Sequence, residues 1–337
     1  MYGVYYCIVL YIYIPAMNRG TILHRAVKLK PVLQAAVALV LVFSLLSLFA
    51  NYTNVTASIN LSKPRPTVGK VMMIYGNNTV YERAVETHRA HCLKQGYPLF
   101  LLQRQVVDGV WNKLAYLIYL IVQELEKPSE ERLEWLFWAD SDTILTNPNM
   151  RLETFLPPPH LTDVHLVLTT DWNGMNAGVF PIRVHPWSIS FLSAAVGYPI
   201  MNPDDTLIWA EQSAMVKVLE ERKELAQSVV YVPLRWFNAY MASPDGENLN
   251  PDASEDLQFH PGDLLVHFPG TGSANLNKTM TPYFNIAESH RPSWELPMEE
   301  TVYPAETAEF WRSYSVEHGI AYPNTTSIQE GMPGSRP

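Results

Sequence analysis

The chain has 337 residues and carries 24 Lys and Arg against 33 Asp and Glu, a net charge of −9. Hydrophobic residues make up 47% and charged residues 17%, which excludes a disordered or fibrous protein because there is ample apolar material for a core. The acidic balance excludes a general nucleic-acid binder, and two cysteines exclude a disulfide scaffold.

Residues 31–50 (PVLQAAVALVLVFSLLSLFA) carry no charge, and about 20 such residues span a bilayer. Arg19, Arg25, Lys28 and Lys30 precede the run, and no charge lies between Asn51 and Ser62. The positive-inside rule then predicts a cytoplasmic tail at 1–30, a signal anchor at 31–50 and a lumenal remainder, the topology of a single-pass type II membrane protein. A cleaved signal peptide is the alternative, but the run exceeds an h-region of about 7–15 residues. Residues 1–16 form a second, shorter apolar run, and Met17 opens an ordinary signal-anchor start; the first sixteen residues are expected to be a gene-model extension. Sequons at Asn51, Asn54, Asn60, Asn77, Asn277 and Asn324 agree with a secretory lumen. Cys7 and Cys92 fall on opposite sides of the anchor, so Cys92 is expected to be a buried thiol.

Residues 51–67 read as a stem and 68–315 as one catalytic-size domain, with a flexible tail over 316–337. Within the domain, strands are expected at Lys70–Tyr75, Pro98–Gln103, Leu133–Ala139, Val164–Thr170, Ala177–Arg183, Val229–Val232 and Asp263–Phe268. Helices are expected at Tyr81–Gln95, Trp111–Glu126, Pro186–Val196 and Thr206–Leu225, the last capped by Asp204 or Asp205. The alternation predicts an α/β fold with a mostly parallel central sheet, whose ligands sit at the carboxyl ends of the strands. Past Tyr283 the chain is rich in Pro and Glu, with Trp294 and Trp311 as packing anchors.

Asp140-Ser141-Asp142 follows the apolar strand LEWLFWA directly. In extended backbone, residues two apart face the same side, and two carboxylates held together repel unless a cation or proton intervenes. Mn²⁺ or Mg²⁺ suits such oxygen donors and bridges to phosphate; a solvated turn is the plain alternative. His267 ends the strand DLLVHF and is either a satisfied core residue or a third ligand, the better reading once Asp140 and Asp142 are considered with it. Trp236, Phe237, Asn238 and Tyr240 would suit a ligand groove or the core, with Trp236 favoured as core. Met241–Gly262 is long for a connection inside a compact domain, and such loops are usually functional or disordered.

The ordered blocks LFWADSDTILTNPN, DWNGMNAGVFPIRVHPWS, AEQSAMVKVL, VVYVPLRWFNAY and GDLLVHFPG resemble glycosyltransferase family 34, the fungal Golgi α-galactosyl- and α-mannosyltransferases, to which the plant xyloglucan xylosyltransferases also belong. The resemblance runs from about Val68 to Gly270. It implies a GT-A, Rossmann-like nucleotide-sugar transferase fold, a divalent metal, a nucleotide-diphosphate sugar donor, a glycan or glycoprotein acceptor and retention of configuration, in a Golgi membrane protein held by one helix and open to complexes with other glycosyltransferases. Asp140, Asp142 and His267 match the metal ligands. Glu211 and Gln212 match an acidic-Gln pair beside the reacting sugar. Lys113, Ser141, Asp171, Asn176, Ala177, Gly178 and Gly270 fall at donor-site positions, although Lys113 also suits an exposed helix and Asn176 and Gly178 an ordinary turn. Thr271-Gly272-Ser273 stands where relatives often carry a basic residue. A catalytically silent glycan-binding or scaffolding subunit is the competing reading, which the presence of all three ligands disfavours; a metal phosphoesterase lacks a second acidic cluster.

Overall fold

The computed structural model describes residues 65–322. Strand β1 (Val68–Met73) leads into helix α1 (Thr79–Gln95), which Asn78 caps through its side chain and Gly96 ends in the left-handed conformation, φ 82°. Strand β2 (Leu99–Leu102), helix α2 (Asn112–Glu126) and strand β3 (Trp135–Ala139) follow. These elements lie within two residues of their expected starts. Strand β3 is buried on both faces, and its alternation feeds two cores. Leu136 and Trp138 pack with Leu117 and Ile121 of α2; Trp135 and Phe137 pack with Trp236, Phe237 and Trp311.

The chain then adds β4 (Thr143–Leu145), β5 (Leu166–Asp171), β6 (Gly174–Asn176), β7 (Val179–Arg183), α3 (Pro186–Met201), α4 (Ala210–Glu221), the single turn α5 (Lys223–Ala226), β8 (Val229–Val232), β9 (Ala239–Tyr240), β10 (Leu265–His267), α6 (Ser273–Ser289) and α7 (Tyr303–Glu317). The large sheet is ordered β2-β1-β3-β7-β5-β6, with β8 on β5. Pairs β1·β2, β1·β3 and β5·β8 are parallel, whereas β3·β7, β5·β6 and β5·β7 are antiparallel. The sheet is therefore mixed, which corrects the mostly parallel expectation. The cause is the connection after β5: Trp172 and Asn173 alone join Asp171 to Gly174, too short for a crossover, so the chain folds straight back as a hairpin.

A second correction concerns the last strand. Strand β10 is central, as expected, but in a separate three-stranded sheet ordered β4-β10-β9. Helix α4 also starts later than expected. Ala210 at its first position has φ 44°, and neither Asp204 nor Asp205 caps it; Asp205 instead accepts a bond from the Tyr198 hydroxyl at 2.7 Å. Helix α6, which was not expected, runs from Ser273 across Tyr283, α7 lies in the Pro- and Glu-rich stretch beyond it, and Trp294 and Trp311 are buried as anchors. Cys92 is buried and free. The expected anchor at 31–50, and the tail beyond 322, lie outside the described residues; among those residues no helix is long and apolar enough to cross a membrane.

A buried polar chain ties α1 to the turn after β3. Lys70 on β1 donates to Nδ1 of His88 (3.2 Å) and of His91 (2.9 Å). Because an ammonium only donates, both rings carry their proton on Nε2. These protons go to the Thr143 and Met150 carbonyls, and the Thr143 hydroxyl in turn donates to the Asp140 carbonyl at 2.6 Å. Burial, with Lys70 close by, holds both imidazoles well below the usual range, and burial lowers Lys70 to about 8. As pH falls below about 6.5 the unfolded chain takes up protons that these folded imidazoles refuse, so stability is lost. Urea unfolding between pH 6.5 and 5 is expected to show this loss, and His91→Gln to flatten its slope by about 1.4 kcal/mol per pH unit.

Candidate active site

Strand β3 ends at Ala139 with its ladder prolonged by one bond, from Asp140 N to Gly178 O (2.8 Å). The chain then leaves the large sheet, turns through Ser141 and enters the small sheet as β4. There Thr143 pairs with His267, and Phe268 N donates to Asp142 O (3.0 Å). This crossing between sheets brings residues 125 positions apart into contact: His267 Nε2 lies 3.4 Å from Asp142 Oδ1. One ligand atom each from Asp140, Asp142 and His267 lies within 4.8 Å of the others.

The tautomer of His267 suits coordination. Its Nδ1 lies 2.7 Å from Asn238 Oδ1. Asn238 Nδ2 is spent on Thr169 (2.8 Å) and Asn176 (2.9 Å), so Oδ1 accepts and His267 carries its proton on Nδ1. Nε2 is left facing Asp142, the atom through which an imidazole with this outer-shell partner would ligate a metal. Gly178 makes room for the ring. A Cβ there would lie 2.2 Å from His267 Cε1, so a close approach, rather than a turn, requires glycine. Burial and the neighbouring Asp142 raise the Asp140 carboxyl, against the pull of Lys113. Two carboxylates and a neutral imidazole, with one carboxyl already strained toward protonation, fit a hard dication.

Lys113 is a buried cation shared by two acids. Its Nζ lies 3.0 Å from Asp140 Oδ1 and 3.0 Å from Glu211 Oε1, and donates to Ala177 O at 2.9 Å. Burial alone would lower its pKa; the two carboxylates outweigh this and hold it above the ordinary lysine range. Asp140 Oδ1 also accepts from Trp138 Nε1 at 2.7 Å. Gln212 Oε1 accepts from Ala177 N at 2.8 Å. Asp171 accepts from the Tyr240 hydroxyl, and Asn176 Nδ2 bonds both Asp171 (3.2 Å) and Tyr240 (2.8 Å).

A cavity of about 480 Å³ is lined by Lys113, Asp140, Asp142, Asp171, Asn176, Gly178, Glu211, Gln212, His267 and Gly270 among others. Ser141 and Ala177 do not line it. The Ser141 hydroxyl donates to the Met73 carbonyl of β1, and Ala177 acts through its backbone alone. Trp236 and Phe237 are core and Asn238 is a buried hub, so of that cluster only Tyr240 reaches the cavity. Sequence reasoning missed Trp172, Trp209 and Ala210, which also line it. The left-handed Ala210 is backbone strain of the kind found at functional sites, and nothing in the sequence marks it.

Residues 157–277 match the galactosyl transferase GMA12/MNN10 family. A probable α-1,2-galactosyltransferase, gmh1 of Schizosaccharomyces pombe, is 26% identical over 49% of this chain and 54% of that protein. Xyloglucan 6-xylosyltransferase 4 of Arabidopsis thaliana is 24% identical over 77% of this chain and 59% of that protein. The chain thus spans little more than half the length of these relatives. A solved glycosyltransferase involved in the glycosylation of the major capsid of PBCV-1 superposes with a TM-score of 0.49 at 17% identity, covering 64% of this chain and 99% of that one.

Two substitutions test the geometry. Gly178→Ala must displace the imidazole, and is expected to weaken Mn²⁺ binding by roughly 10–100-fold in calorimetry, the scale of a lost outer-shell support. Lys113→Met leaves two acids without their buried partner. It is expected to lower the unfolding free energy by about 3–5 kcal/mol at pH 7, measured by urea unfolding.

Proposed function

We propose that the protein is a metal-dependent, retaining glycosyltransferase that moves a hexose from a nucleotide-diphosphate sugar to a glycan acceptor. The observation that carries this reading is the convergence of Asp140, Asp142 and His267 on the wall of a cavity that also holds Glu211. The names of the S. pombe relatives favour galactose as the hexose. The cavity is large enough to hold a sugar nucleotide in part.

Asp140, Asp142 and His267 would hold Mn²⁺ or Mg²⁺, which supplies neutralisation of the departing diphosphate. The chain's own groups do the rest. Lys113 fixes Asp140 against rotation, and Asn238 fixes His267. Glu211, its charge offset by Lys113, presents a carboxylate at the cavity wall, suited to the hydroxyls and the developing positive charge of a sugar. Gln212 is an amide; it orients the Ala177 loop and transfers no proton. Asp171, tied to Tyr240 and Asn176, borders the same pocket as a hydroxyl acceptor. In this reading the domain works in the Golgi lumen, tethered by the apolar run at 31–50, where other transferases are available as partners.

The test is turnover of a panel of nucleotide sugars, UDP-galactose and GDP-mannose included, by the full chain with Mn²⁺. Metal-dependent donor hydrolysis or transfer is expected. Asp142→Asn is expected to lower it by at least about 100-fold with an unchanged unfolding midpoint. A wild-type chain that turns over no nucleotide sugar with either ion would instead favour a silent glycan-binding subunit.

A further inference from the structure

A second cavity, of about 430 Å³, lies between the tip of the β5–β6 hairpin, the C-terminal half of α4 with α5, and strand β8. Asn173, on the hairpin turn, lines both this cavity and the main one, and α4 borders both. The two cavities thus adjoin at a two-residue turn. Gly174, φ 99°, allows that turn to be tight.

An aromatic ring stands uncovered beside each cavity. Trp172, on the turn, is 72% exposed, and its ring rests edge-on against Tyr240 with centroids 5.2 Å apart and planes at 74°. It is therefore both open to ligand and held in place. Tyr231, on the far side, is 45% exposed and lines the second cavity together with Glu220 and Lys223 of the α4–α5 segment. A flat ring flanked by a carboxylate, an ammonium and an amide matches a sugar unit, which offers an apolar CH face and a rim of hydroxyls. A nucleic acid is a poor fit, given the chain's net charge of −9 and the acids in both cavities.

The geometry points to a second carbohydrate subsite at Tyr231, Glu220 and Lys223, which holds sugar units of an oligosaccharide acceptor beyond the one that reacts, with Trp172 as the platform over which the glycan passes. The assignment rests on the transferase reading of the main cavity and adds to it a preference for extended acceptors over single sugars.

Calorimetric titration of the full chain tests it, with methyl glycosides of glucose, mannose and galactose and linear tetrasaccharides of the same three sugars as probes. At least one tetrasaccharide is expected to bind roughly tenfold more tightly than its methyl glycoside, the scale of one good aromatic contact. Tyr231→Ala is expected to erase that gain and Tyr231→Phe, which keeps the ring, to retain it. Lys223→Ala, at an exposed position, is expected to reduce the gain several-fold, independently of any folding defect in Tyr231→Ala. Tetrasaccharides that bind no more tightly than the glycosides in all three series overturn the subsite, as does a gain that survives both Tyr231→Ala and Lys223→Ala. Wild-type donor turnover, measured alongside, reports on the transferase reading alone, because glycan binding is read here without it.

Discussion

The ladder that pairs Thr143–Leu145 with Leu265–His267 is the constraint on which the site depends. It is three residues long, yet it alone sets which face of β10 carries His267 toward the turn after β3. A slip of one residue would send the imidazole to the opposite face. The register is secured from both sides of the small sheet. Ile144, Val266 and Ala239 pack with Leu276, Tyr283 and Phe284 of α6, and the Lys70–His88–Thr143 chain pins the first residue of β4 from α1. The metal-type cluster is thus held by a strand pairing that includes His267 and, from α1, by a buried charge relayed through Thr143 to the Asp140 carbonyl.

Asn238 performs the corresponding service for the other half of the site. One amide fixes the His267 tautomer, bonds Thr169 of β5 and reaches Asn176 at the end of β6. Through Asn176 the same network continues to Asp171 and Tyr240. A buried polar network of this kind is costly unless fully satisfied, and when satisfied it specifies one arrangement of the core. The large sheet, the small sheet and the cavity wall therefore share one hydrogen-bonded assembly.

Much of this was legible in the chain. The apolar run LEWLFWA located β3, and the carboxylates two apart at its end located the centre of the site, because strand periodicity and charge repulsion act locally. Pairing was not legible, since it depends on which distant segment comes to lie alongside. The Asn173-Gly174 dipeptide was a hairpin signal that would have foretold the antiparallel β5–β6 return and hence the mixed sheet. Phe237 read equally well as groove or core and Trp236 somewhat better as core, because an aromatic ring serves both and only burial separates the two. Gly178 read as a donor-site residue or a turn residue; its requirement comes from an imidazole 89 positions away. The dual partnership of Lys113 was likewise invisible, as helix position says nothing of what lies across the sheet.

The Lys113 partnership constrains how this sequence can drift. A single ammonium compensates Asp140 on the strand end and Glu211 at the helix start, so neither acid has an electrostatic environment of its own. Substitution at one changes the field felt by the other, and the effects of paired substitutions will not sum. The three positions form one epistatic unit, free to vary together and constrained when varied singly.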